Sequence, residues 1–148
     1  MVEAGDVTAP ALVLLHGIGS SGDAFGAQFP AFADRWHLLA PDAPGYGESD
    51  DPAAAPGIDG FADAVARLLD DTGIDRAVVL GVSWGGVIAT RFALRHPNRL
   101  RALVLSDTSR GSGFDPERTA MMAERAAQYA ADPVGFVRDR TPLLVADT

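Results

Sequence analysis

Apolar residues along this chain gather in short unbroken runs, and between the runs they recur at helical spacing. Three runs are apolar almost throughout: Ala11–Leu15 (ALVLL), Ala77–Val82 (AVVLGV) and Leu100–Ser106 (LRALVLS). A run that does not alternate suits a strand covered on both faces, as in a parallel sheet. A weaker run over 36–40 (WHLLA) stops at Pro41. Phe25, Phe29 and Phe32 would share one helical face, although Gly26 and Pro30 interrupt it. Phe61, Val65, Leu68 and Leu69 fall at i, i+4, i+7 and i+8, which predicts an amphipathic helix with Arg67, Asp70 and Asp71 off its apolar face. Gly73 is a natural stop for that helix. Val87, Ile88, Phe92 and Leu94 predict a more fully buried helix, closed by His96 and Pro97. The order strand, helix, strand, helix, strand, helix, strand predicts an α/β fold, a parallel sheet with helices on both faces.

Past Ser106 the texture changes. Residues 107–116 read as a loop, 117–131 as an Ala-rich helix with Met122, Ala126 and Tyr129 on one side, and Pro133–Arg140 as a second short helix. The stretch 51–57 reads as a loop, and no internal repeat is present.

Composition narrows the function. The formal charge is −8 over 148 residues, which disfavours nucleic acid or an anionic membrane as a bulk electrostatic partner. The chain has no cysteine, so disulfides, cysteine-based zinc sites and a thiol nucleophile are excluded. No apolar run has the length of a membrane span, and the first ten residues do not read as a signal peptide. A soluble cytoplasmic protein is the expectation.

The sharpest chemical signal is Gly81-Val82-Ser83-Trp84-Gly85-Gly86, a G-x-S-x-G pattern between a predicted strand and a predicted helix. A serine on so tight a turn is lifted clear of the sheet. The helix behind it offers unpaired N–H groups and partial positive charge to a developing oxyanion. A second Gly-rich stretch, HGIGSSG at 16–22, follows the first long strand, where a main-chain N–H can complete such an oxyanion hole. A third, PDAPGYGES at 41–49, reads as a rigid turn.

With these three motifs in this order, followed by RHPNRLRALVLSDTS, the chain resembles the α/β-hydrolase superfamily over nearly its whole length. Within it, the chain looks most like 3-oxoadipate enol-lactonases and related small esterases, and its GVSWGG turn resembles that of intracellular polyester depolymerases. The resemblance implies Ser83 as nucleophile, with the amides of Trp84 and Ile18 as the oxyanion hole. It implies a core over 1–110 and the start of a helical cap over 111–148. It implies a small-molecule ester or lactone as substrate, and no metal or organic cofactor.

The family's triad runs serine, acid, histidine. Of this chain's histidines, His16 matches a structural loop position, His37 lies inside a strand, and His96 caps a helix end. None matches the catalytic position. Asp107 is the one candidate acid, with a loop or cap role as the alternative. The chain reads as a central slice of the fold, with an unprotected sheet edge that a complementing C-terminal segment or a second copy would cover. Two functional readings follow: an ester or lactone hydrolase whose histidine lies outside this chain, or a catalytically silent fragment or half of a split enzyme. Cofactor-free dioxygenases, haloperoxidases and C–C bond hydrolases share similar turns and keep the chemistry open. Phe114, Met121, Met122 and Tyr129 would line a substrate pocket or form the packing face of a cap helix.

Overall fold

A computed structural model describes residues 1–108 and 116–140. It divides into two compact units, Met1–Gly111 and Ser112–Thr148. The first is built on a five-stranded sheet of β1 (Val2–Ala4), β2 (Ala11–Leu15), β3 (His37–Ala40), β4 (Ala77–Val82) and β5 (Leu100–Ser106), ordered β1-β3-β2-β4-β5. Strands β3, β2, β4 and β5 pair in parallel, whereas β1 pairs antiparallel with β3.

The unbroken apolar runs have a direct cause. Alternate residues of the central strands point to opposite faces, and a separate apolar layer covers each face. On one, Ala11, Val13, Leu15, Leu39 and Val79 meet Ala62, Val65, Ala66 and Leu69 of α2 (Gly57–Asp71) and Ile88, Ala89 and Phe92 of α3 (Trp84–Arg95). On the other, Leu12, Leu14, Leu38, Ala40 and Val78 meet Phe25 and Phe29. Phe25 lies in a 3-10 turn, Gly22–Phe25, and Phe29 in the short helix α1 (Gln28–Phe32).

An ion-pair net ties α2 to α3. Arg91 and Arg95 both reach Asp59, Arg95 forks onto Asp63, and His96 Nε2 lies 2.8 Å from Asp63.

Four expectations change. Phe32, the last residue of α1, is exposed, with the Arg35 guanidinium over its ring, and Phe25 lies in a separate 3-10 turn, so the three phenylalanines do not share one helical face. Leu94 is 70% exposed; two residues past Phe92, it lies roughly 200° round the helix from the buried stripe. Strand β5 is not buried on both faces, since Val104 and Leu105 are both exposed and β4 is its one strand partner among the described residues. Strand β1 escaped the apolar pattern because it has three residues and leaves through Gly5, at φ +92, where a Cβ would strike the Trp36 carbonyl.

The second unit consists of α4 (Pro116–Ala131) and α5 (Pro133–Arg140). Asp132 caps α5 by accepting the Gly135 N–H at 2.9 Å. Tyr129 packs edge-on against Phe136, with ring centroids 5.7 Å apart, while Met121 and Met122 are exposed. Phe114 lies outside the described residues. No helix among the described residues is long and apolar enough to cross a membrane.

Candidate active site

Ser83 stands between the end of β4 and the start of α3, with φ 53 and ψ −116. Positive φ is sterically costly for a residue with a side chain, so the surroundings must hold it there. They do so through both backbone groups. The Ser83 N–H donates to the Ser106 carbonyl at 3.0 Å. The Ser83 carbonyl accepts the Gly86 N–H at 3.0 Å and the Thr108 hydroxyl at 2.8 Å. The side chain itself is exposed.

Each glycine of the motif meets a specific obstacle. A Cβ on Gly81 would run into the Gly85 carbonyl and lie 2.5 Å from Gly86 Cα. One on Gly85 would strike the Leu15 carbonyl and lie 2.5 Å from that of His16. One on Gly86 would strike the Thr108 hydroxyl and lie 2.5 Å from its Cβ. The pattern is thus set by how closely β2, β4 and α3 approach one another around the serine.

The HGIGSSG stretch lies beside this turn. A Cβ on Gly17 would lie 3.6 Å from Ser83 Cβ, so the loop passes directly against the serine. Trp84 is the first residue of α3, and the first N–H groups of a helix have no partner within it. Ile18 is 64% exposed on the loop. These are the two residues whose amides the sequence proposes as oxyanion donors.

Three further residues brace the site. Asp42 accepts the Gly22 N–H at 2.7 Å and the Glu48 N–H at 3.2 Å, joining the HGIGSSG loop to the PDAPGYGES loop. The Gly22 bond, above all, holds the Asp42 carboxyl below its ordinary range; burial opposes it, and the Glu48 N–H and the Met1 amino group add to the lowering. His16 bridges the same two loops. Its Nδ1 lies 2.8 Å from the Gly17 carbonyl, and its Nε2 lies 3.1 Å from the Ala43 N. A carbonyl only accepts and a backbone N–H only donates, so the proton sits on Nδ1 and both nitrogens are committed. Tyr46 packs tilted between His16 and Trp84, its ring centroid 5.4 Å from His16 and 5.2 Å from Trp84, and Phe61 meets Trp84 edge-on at 4.8 Å.

The other histidines are elsewhere. His37 is buried in β3, with Nε2 2.6 Å from Glu3 Oε1. His96 lies at the far end of α3, a 12-residue helix, which puts it about 18 Å along the axis from Ser83. Asp107 is exposed at φ 47 and directly follows Ser106, the residue that takes the Ser83 N–H. A cavity of about 530 Å³ opens between α2 and the 41–50 loop over a floor of Leu15, Phe61, Val65 and Ile88; His16 forms part of its wall, and Ser83 is not in its lining. The roles of Thr108, Asp42 and Tyr46 were not read from the sequence. All three lie in motifs that the sequence singles out, Asp42 and Tyr46 in PDAPGYGES and Thr108 in RHPNRLRALVLSDTS, but neither motif specifies their contacts.

The model of the alpha/beta hydrolase fold family matches residues 10–142. Epoxide hydrolase A of Mycobacterium tuberculosis is 42% identical over 107 residues, 70% of this chain and 33% of that protein. A thermophilic esterase from Thermogutta terrifontis superposes with a TM-score of 0.84 at 27% identity, over 95% of this chain and 51% of that one. Est816, an N-acyl homoserine lactone degrading enzyme, superposes with a TM-score of 0.75 at 31% identity, over 91% of this chain and 49% of that one. The chain spans half or less of the length of the curated relatives it matches first.

Proposed function

This chain belongs to the alpha/beta hydrolase fold family, and from that membership we propose that it carries the nucleophile and oxyanion hole of a serine hydrolase acting on carboxylic esters or lactones. Ser83 attacks the carbonyl carbon, and the negative charge that develops on the carbonyl oxygen is held by the amides of Trp84 and Ile18. A base takes the Ser83 proton and passes it to the alcohol oxygen as the C–O bond breaks (in a lactone the alcohol stays tethered to the acyl group), an acyl-enzyme forms on Ser83, and water releases the acid. The observation that carries this reading is the exposed serine held at φ 53, at the N-terminus of α3 and against the HGIGSSG loop.

Relatives include an epoxide hydrolase as well as an esterase and a lactone-degrading enzyme. The side chain at the turn favours the latter two. A serine that opened an epoxide would be left as an alkyl ether, with no carbonyl for water to attack. A serine that opens an ester or lactone is left as an ester, which water can cleave. The motif likeness to 3-oxoadipate enol-lactonases supports a lactone as readily as an open ester.

The base is a histidine outside this chain. His16 has both nitrogens engaged, His37 is buried in the sheet, and His96 is at the wrong end of α3. Asp107 is the acid closest to hand in the chain path, next to the residue that bonds the Ser83 N–H. Without its base a triad enzyme loses several orders of magnitude in rate. The isolated chain is therefore nearly silent, which is the second reading, and the exposed apolar residues of β5 favour a complementing segment or second copy there. We assign residues 1–110 to the catalytic core and 111–148 to the start of a helical cap.

A substrate panel in native lysate tests the chemistry: p-nitrophenyl acyl esters, an N-acyl homoserine lactone and styrene oxide, each with the wild-type chain and with Ser83→Ala. Ester or lactone turnover that disappears in the variant is the expected result. Epoxide opening that depends on Ser83, with no ester or lactone turnover, would overturn the proposal.

A further inference from the structure

The Thr108 hydroxyl takes no part in the steps above, yet it donates to the Ser83 carbonyl at 2.8 Å. That carbonyl is one half of the Ser83–Trp84 peptide, and the other half is the Trp84 N–H. A trans peptide is planar, with its C=O and N–H pointing in opposite directions. Whatever fixes the Ser83 carbonyl therefore aims the Trp84 N–H.

Two donors meet at this oxygen from different elements. Gly86 N–H, at 3.0 Å, belongs to the first turn of α3 and moves with it. Thr108 lies beyond β5 and ties the peptide to the neighbouring strand. The same strand end holds the other side of the serine, since Ser106 accepts the Ser83 N–H at 3.0 Å. Ser83 is thus clamped through both backbone groups by residues 106 and 108. Between them Asp107 turns through φ 47, a conformation that side chains disfavour and aspartate tolerates better than most.

The clamp also accounts for the last glycine of GVSWGG. A Cβ on Gly86 would strike the Thr108 hydroxyl and lie 2.5 Å from Thr108 Cβ. The chain gives up a side chain at the start of a helix, where glycine is unfavourable, and gains room for the threonine.

We propose that Thr108 is a positioning residue that holds the Ser83–Trp84 peptide so that the Trp84 amide points at the developing oxyanion. The proposal rests on the reading of Ser83 as nucleophile and Trp84 as oxyanion donor. Thr108→Val removes the hydroxyl at constant shape, and Thr108→Ser keeps it. Two measurements are made on each: the backbone amide shift of Trp84 in the 1H–15N spectrum of the chain, and the rate at which a fluorophosphonate labels Ser83 in native lysate. Thr108→Val is expected to move the Trp84 amide and to slow labelling about tenfold, less than outright loss of an oxyanion donor. Thr108→Ser is expected to restore both. A Trp84 amide that stays in place in Thr108→Val, or a loss of rate equal in the Val and Ser variants, would overturn the proposal while leaving Ser83 as nucleophile. A wild-type Ser83 that never reacts would instead overturn the reading beneath it. If Thr108→Val fails to fold, Thr108→Ala beside Thr108→Ser makes the same comparison.

Discussion

The Nε2 of His16 accepts the backbone N–H of Ala43 at 3.1 Å, while its Nδ1 gives its proton to Gly17. This ring joins two loops that are 27 positions apart in sequence. With His16 replaced by alanine, the Ala43 N–H loses its partner in a part-buried place. Urea unfolding is expected to show a loss of about 1–3 kcal/mol, the usual cost of an unmet buried group. His16→Gln, which can offer an acceptor, is expected to recover part of it.

Gly85 has no room for a side chain. A Cβ there would strike the Leu15 carbonyl and lie 2.5 Å from the His16 carbonyl, both fixed backbone. Gly85→Ala is expected to cost about 3 kcal/mol, toward the upper end for forced overpacking, seen as a fall in the thermal midpoint. Gly19→Ala is the control. Nothing lies within 4 Å of its Cβ position, so only its φ of +73 opposes the change, and its loss should be smaller.

Much of this architecture is legible in the sequence, for physical reasons that differ by element. The runs ALVLL and AVVLGV betray strands because both faces of the sheet are covered. The turn around Ser83 is legible because its glycines are sterically obligatory. Strand β1 is not legible, since three residues carry no periodicity and its place is set by pairing with β3 and by the Glu3–His37 contact. Leu94 and Leu105 look like core residues by type, and only three-dimensional placement exposes them. The Thr108 contact joins residues 25 positions apart, and the SDTS motif around Thr108 does not say which carbonyl its hydroxyl meets.

Acid should loosen the loop pair that Asp42 holds. Its folded-state carboxyl titrates below its ordinary range, chiefly because it accepts the Gly22 N–H. A lowered folded value contributes stability above the unfolded value and loses it as pH falls through the folded one. The Asp42 contribution is therefore complete above about pH 5 and fades below about pH 4. Asp42→Asn is expected to lower the melting temperature near neutrality, and the gap to wild type should narrow in acid. A gap that stays constant with pH would remove the carboxylate from this role.

The central claim is that Ser83 is a nucleophile whose base is none of His16, His37 and His96. A fluorophosphonate probe tests it directly, with the adduct located by mass spectrometry and Ser83→Ala as control, on the isolated chain and in native lysate. The account predicts an adduct on Ser83 in lysate, almost none on the isolated chain, and none on the variant in either setting. Rapid labelling of Ser83 in the isolated chain would contradict it, because the base would then have to lie within these 148 residues.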